Sequence, residues 1–209
     1  MKILLGTTNR SKAEMFRAYL RGTEAELLTL TDLGLTAEPE EIGKTPAENA
    51  AIKAKFYGRY FERVICGDSG LYFDGLPLDD ARQPGLSVRS PQGRRLNDEE
   101  MTAYYAALAA SFGGCVTACY LSAYAVYCAG KVFTCSESWE EAMQGAFCLV
   151  DTPSPIRHPG WPLDSLSKEP DSGLYFTERT VRQLTADNAV LESRNMRVRE
   201  FLIGSLGLE

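Results

Sequence analysis

Hydrophobic and polar positions follow two rhythms along this chain. Ile3, Leu4 and Leu5 form a short apolar run with the length and branching of a covered strand, and from Lys12 onward Met15, Phe16, Tyr19 and Leu20 recur at helical spacing. Between them lies a polar turn, TTNRSK, at 7–12. Glu26 to Leu30 predicts a second strand. Thr45 as N-cap, Pro46 at the first helical position and Glu48 as the capping-box partner predict the start of a second helix. Val64, Ile65 and Cys66 predict a strand that breaks in a tight, exposed turn at Gly67-Asp68-Ser69-Gly70 and resumes from Leu71 to Phe73. Asn97 followed by Asp98, Glu99 and Glu100 caps a helix that extends to about Phe112, with the acids favourable at its positive end.

From Val116 to Val150 the pattern is that of an antiparallel meander, with a turn at Ala129-Gly130-Lys131. The Pro-, Gly- and Ser-rich stretch from Asp151 to Gly173 predicts a long irregular loop, of the kind that often carries function. From Thr177 the pattern is helical, with Asp187 or Asn188 as a cap for the last helix. Helices alternating with strands, followed by a strand meander, predict a mixed α/β sheet.

Length and composition narrow the classes. A chain of 209 residues with 44% hydrophobic content buries one substantial core. It forms a single domain over 1–209 or two closely packed lobes, about 1–90 with the C-terminal helices and about 91–150. The net charge of −6 argues against a general nucleic-acid or anionic-membrane surface, so any phosphate site has to be local. The six cysteines form no CxxC pair and read as reduced core residues. No signal peptide and no apolar run of roughly 20 residues is evident. The expectation is a cytoplasmic protein.

Two stretches suit phosphate and metal chemistry. A strand feeding a helix through TTNRSK leaves backbone N–H groups at a positive helix end, where Thr7, Thr8, Asn9, Arg10 and Ser11 add donors and Lys12 a mobile charge. The alternative is an ordinary turn capped by Asn9 or Ser11; the spacing is not that of a Walker loop. Asp68 in GDSG suits a hard cation held by one or two carboxylates plus phosphate oxygens, with Glu41 as the best-placed partner. The alternatives are an Asx-turn for Asp68 and a solvated loop acid for Glu41. Glu48 is assigned to capping, and Asp74, Asp79 and Asp80 to a surface loop.

LLGTTNRSK, EEIGKTPAENAAIKA and GDSGLYFDGLP…PGLSVR, taken in that order and spacing, resemble the first half of the inosine triphosphate pyrophosphatase (Ham1-like) family. The family hydrolyses non-standard purine nucleoside triphosphates, and the match covers about residues 1 to 90. The resemblance implies an elongated mixed α/β sheet with helices around a central nucleotide-binding cleft, in a homodimer. It implies Mg²⁺-dependent attack of water on the α-phosphorus, giving a nucleoside monophosphate and pyrophosphate. By residue, it implies that Thr7 to Lys12 bind the triphosphate, that Glu41 ligates the metal, and that Asp68 ligates it or orients and deprotonates water. Lys53, Ser69 and Arg89 match nucleotide-contacting positions.

The second half departs from that pattern. In place of the family's purine-clamping F-G-Y-D-P stands HPGWPLDSL, where Gly160, Trp161 and Asp164 are the nearest analogues. In place of its S-H-R stands LESRN, with Arg194 retained, Ser193 where the histidine belongs, and Asn188 near the lysine position. Gly67 replaces a second acid commonly found before Asp68. His158, the one histidine, reads as structural. Base selectivity rests on hydrogen bonds to the ring, so these changes imply an altered preference. A nucleotide-binding protein of the same fold that does not hydrolyse is the alternative.

Overall fold

The computed structural model describes residues 1–179 and 195–208. They fold as two compact units, Met1–Ser69 with Ser122–Ser138 and the C-terminal helix in one, Gly70–Leu121 with the segment from Trp139 in the other. Two strands, β3 (Arg63–Phe73) and β4 (Cys115–Cys128), contribute a stretch to each unit.

In the first unit, β1 (Lys2–Leu5) pairs in parallel with β2 (Glu26–Thr29) and with β3, in the register Leu4↔Val64 and Leu5↔Ile65. Side chains alternate across a strand, so one apolar run serves two cores. Ile3, Leu5 and Ile65 pack with Phe16 of α1 (Arg10–Tyr19) and with Val198 and Leu202 of the helix at 195–206, here α5. Leu4, Val64 and Cys66 pack with Ala50, Ala54 and Tyr57 of α2 (Pro46–Tyr57). Full burial of Phe16 contributes about 2 kcal/mol. The end of β4 folds back on β5 (Lys131–Ser136) through Ala129 and Gly130, both at positive φ, as the sequence predicts.

The second unit joins the rest of β3 and β4 to β6 (Phe147–Val150) and β7 (Ser167–Lys168). Helix α3 (Asp98–Ser111) packs on β6 and on the 3-10 turn Pro162–Ser165, over a core of Leu71, Phe73, Tyr105, Phe147, Leu149 and Leu166. The Asn97–Glu100 capping box is complete.

Several expectations are corrected. β3 is uninterrupted: Gly67 and Gly70 lie within it without positive φ, and Asp68 is 8% exposed, not at an open turn. The glycines answer close approach instead, since a Cβ at Gly70 would meet the Gly85 carbonyl oxygen at 2.8 Å. The later strands are not a simple meander, because both β5 and β6 pair with β4, and a short helix α4 (Trp139–Met143) separates them. Residues 151–173 are not wholly irregular, holding the 3-10 turn and β7. None of the six cysteines forms a disulfide, but only Cys66 and Cys119 are buried and Cys115 is exposed. The expected cap at Asp187 or Asn188, Ser193 and Arg194 lie outside the described residues. Among the described residues, no helix is long and apolar enough to cross a membrane.

Candidate functional site

The turn after β1 is held by its own polar groups. Thr7 Oγ1 accepts the Asn9 N–H at 3.1 Å, and Asn9 Oδ1 accepts the N–H groups of Ser11 at 2.9 Å and Lys12 at 3.3 Å, which makes Asn9 the N-cap of α1. Capping and an anion site are compatible here: the first turn of α1 contains no acid, so its positive end is not neutralised as that of α3 is by three. Thr8, Asn9 and Arg10 are exposed and Thr7, Ser11 and Lys12 half-buried.

The loop carrying Glu41 is pinned by the start of α2. Gly43 N–H donates to Asn49 Oδ1 at 2.8 Å, and Lys44 N–H to Glu48 Oε2 at 2.6 Å, while Thr45 Oγ1 accepts the Glu48 N–H at 3.2 Å. Glu48 therefore reaches back to Lys44, one residue before the N-cap that a capping box would bind. A Cβ on Gly43 would stand 2.5 Å from Asn49 Oδ1, so only glycine lets this loop lie against the helix.

Three elements then meet around Asp68 of β3. Lys53, from α2, donates to Asp68 Oδ1 at 3.0 Å and pairs with Glu41 Oε2 at 2.9 Å. Lys12, from α1, lies 3.7 Å from the same Oδ1 and donates to the Gly67 carbonyl oxygen at 3.4 Å. Burial lowers the Lys12 pKa against the pull of Asp68. Burial acts likewise on Lys53, but Asp68 and Glu41 together outweigh it and hold that ammonium above its ordinary value. Ser69 follows on β3, half-buried.

Two carboxylates thus converge on one cationic point beside a second lysine. That donor set fits a divalent ion held by two carboxylates and phosphate oxygens, although no group of three or more metal-ligating side chains occurs among the described residues. Gly67 is buried, and a Cβ there would meet Phe16 Cζ at 3.2 Å with Tyr124 Cδ1 at 3.6 Å. A side chain at this position would crowd aromatic rings of the core.

Arg89, Trp161 and Asp164 lie in the second unit, and Arg194 lies outside the described residues. Arg89 Nη1 donates to Asp98 Oδ1 at 2.9 Å. Trp161 is 50% exposed, and Asp164 Oδ2 lies 3.4 Å from His158 Nδ1. Burial raises the Asp164 pKa, opposed by His158 and Arg179. His158 therefore has a specific partner in this loop. Sequence reasoning missed Asp98, whose position at a helix start explained it fully; an arginine nine residues upstream was the available signal.

Residues 3–146 match the Ham1 family. The dITP/XTP pyrophosphatase of Thermoanaerobacter pseudethanolicus is 38% identical over 87 residues, 41% of this chain and 42% of that protein. The enzyme of the same name from Oceanobacillus iheyensis is 38% identical over 100 residues, 47% of this chain and 49% of the relative. The chain thus spans less than half the length of these relatives. Among solved structures, a HAM1 protein from Coxiella burnetii superposes with a TM-score of 0.71 at 21% identity, covering 96% of this chain and 99% of the other. The Staphylococcus aureus Ham1 protein gives 0.68 at 19% identity, covering 98% and 100%. These likenesses establish the mixed α/β fold with flanking helices, and with the match over 3–146 they show that the chain belongs to the Ham1 family.

Proposed function

We propose that the chain hydrolyses nucleoside triphosphates to a nucleoside monophosphate and pyrophosphate, with a base preference changed from that of its relatives. The observation that carries this reading is the convergence of Glu41 and Asp68 on Lys53, with Lys12 3.7 Å from Asp68 at the start of α1. Membership of the Ham1 family and relatives named dITP/XTP pyrophosphatase support it.

In this reading Thr7 to Lys12 cradle the triphosphate, and Lys12 and Lys53 neutralise charge that builds on its oxygens. Mg²⁺ would be held by Glu41 and Asp68 together with substrate phosphate oxygens, and when bound it would supply further charge neutralisation. Asp68 orients a water molecule and takes its proton as the new P–O bond forms at the α-phosphorus. The bond to the bridging oxygen breaks, and pyrophosphate leaves. Positioning and electrostatics suffice; no covalent intermediate is needed. Ser69 and Arg89 contact the nucleotide, and Trp161, Asp164 and Arg194 read the base. The changed preference is supported by HPGWPLDSL and LESRN, which replace the family's base-reading stretches. The resemblance also supports a single catalytic domain in a homodimer, and the net charge of −6 supports a protein without nucleic-acid or membrane partners, for which we propose a cytoplasmic location.

The test is pyrophosphate release with Mg²⁺ from ITP, XTP, dITP and the four standard triphosphates. Turnover of at least one class, lost in Asp68→Asn, is expected. Silence across the panel would overturn the proposal, and retained binding would then favour a nucleotide sensor.

A further inference from the structure

Asp98 has two partners that its place at the start of α3 does not require. Its Oδ1 accepts from Arg89, and its Oδ2 accepts the backbone N–H of Gly160 at 2.6 Å, 62 residues further along the chain. Gly160 lies in a tight turn, closed by the Trp161 N–H on the His158 carbonyl oxygen at 2.9 Å. Pro159 in the second place and Gly160 at φ +84° in the third fit a type II turn, in which glycine is favoured at the third place. The Gly160 N–H takes no part in closing that turn, so the loop tip is tied to the helix through this bond. Arg89 and the Gly160 N–H both stabilise the ionised carboxylate and lower its pKa. A guanidinium carries five N–H donors, of which this bond uses one, so Arg89 keeps donors for a ligand.

We infer that Asp98 is a positioning residue for base selection, fixing Arg89 and the turn that carries Trp161 in one frame. The inference rests on the pyrophosphatase reading and names the part of the protein that sets its specificity. An aromatic ring on a loop that is already held costs less ordering to stack on a base than one on a free loop. Asp98 thereby acts through two other residues, and its loss lowers affinity and discrimination more than the rate of the chemical step.

The test uses the full chain with Trp139→Phe, which leaves Trp161 as the single tryptophan of two. Without nucleotide, Asp98→Ala is expected to make Trp161 about twofold more accessible to acrylamide, as a tip released from its anchor. Asp98→Asn keeps an acceptor for Gly160, so its Trp161 accessibility is expected to stay near wild type. With dITP, XTP, ITP, dATP and dGTP, Asp98→Ala is expected to raise KM about tenfold and narrow the spread of kcat/KM among bases about tenfold, with kcat within about threefold. The Asn97–Glu100 box still caps α3, so folding is retained. Unchanged quenching in Asp98→Ala, or a lower melting temperature with KM and preference unaltered, overturns the inference. If the parent releases no pyrophosphate, the pyrophosphatase reading fails separately. Nucleotide quenching of Trp161 then decides: a tenfold weaker affinity in Asp98→Ala supports the role, and equal affinity or no binding rejects it.

Discussion

Lys53 reaches Asp68 from α2 and places its ammonium 3.0 Å from Oδ1, while the same nitrogen stands 2.9 Å from Glu41. The Lys53 and Asp68 side chains are only 14% and 10% exposed, so a cation is built into the point where two acids meet. Removing it leaves like charges facing each other in a poorly solvated place. Lys53→Met is expected to destabilise the protein by about 2 kcal/mol, the usual cost of breaking a buried pair discounted for the half-exposed Glu41. Millimolar Mg²⁺ should restore more of the lost melting temperature in the variant than it adds to the parent. Equal shifts in both proteins would place the metal elsewhere.

Asn49 is 3% exposed and anchors Gly43, two residues after Glu41. Asn49→Ala leaves a backbone N–H without its acceptor, a loss of about 1–2 kcal/mol. Because the loop also positions Glu41, the Mg²⁺ concentration for half-maximal activity should rise severalfold. A loss of stability with an unchanged metal requirement would show that Asn49 holds the loop without placing the carboxylate.

Gly67 faces Phe16 and Tyr124, so an acid introduced there is expected to meet aromatic rings rather than a metal. Gly67→Asp pushes a carboxylate into an apolar pocket and is expected to destabilise by about 3 kcal/mol without raising activity. Thermal unfolding beside pyrophosphate assays reads both effects. A stable variant with higher turnover would mean that the rings move aside and the position remains functional.

Lys12 is held below the ordinary lysine value of 10.5 by burial. A lowered pKa means that the ammonium loses its proton at a pH where a free lysine keeps it, so the affinity for triphosphate falls early on the alkaline side. kcat/KM, which reports the free enzyme, should therefore decline below pH 10.5, and Lys12→Arg, always charged, should move that limb upward. An alkaline limb that does not move in Lys12→Arg would assign it to another group.

Local chemistry made much of this legible in the sequence. Thr45, Pro46 and Asn97 mark helix starts because caps act over three residues, and the resemblance carried by three ordered stretches brought Glu41, Lys53 and Asp68 forward before any geometry was known. What failed was non-local. Gly67 and Gly70 look like turn residues, but Gly67 lies against Phe16 and Tyr124 and Gly70 against the Gly85 backbone, all distant in sequence. The pairing of β6 with β4 depends on a partner that periodicity cannot name. Asp98 satisfies a helix dipole so well that nothing local suggested its bonds to Arg89 and Gly160.

The most direct measurement is hydrolysis of dITP or XTP in ¹⁸O-labelled water with Mg²⁺, followed by mass spectrometry of both products. Attack on the α-phosphorus puts the label in the nucleoside monophosphate and leaves pyrophosphate unlabelled, and Asp68→Asn should suppress both products by about 10²-fold or more. Label in pyrophosphate or in free orthophosphate, or full turnover in Asp68→Asn, would contradict the account.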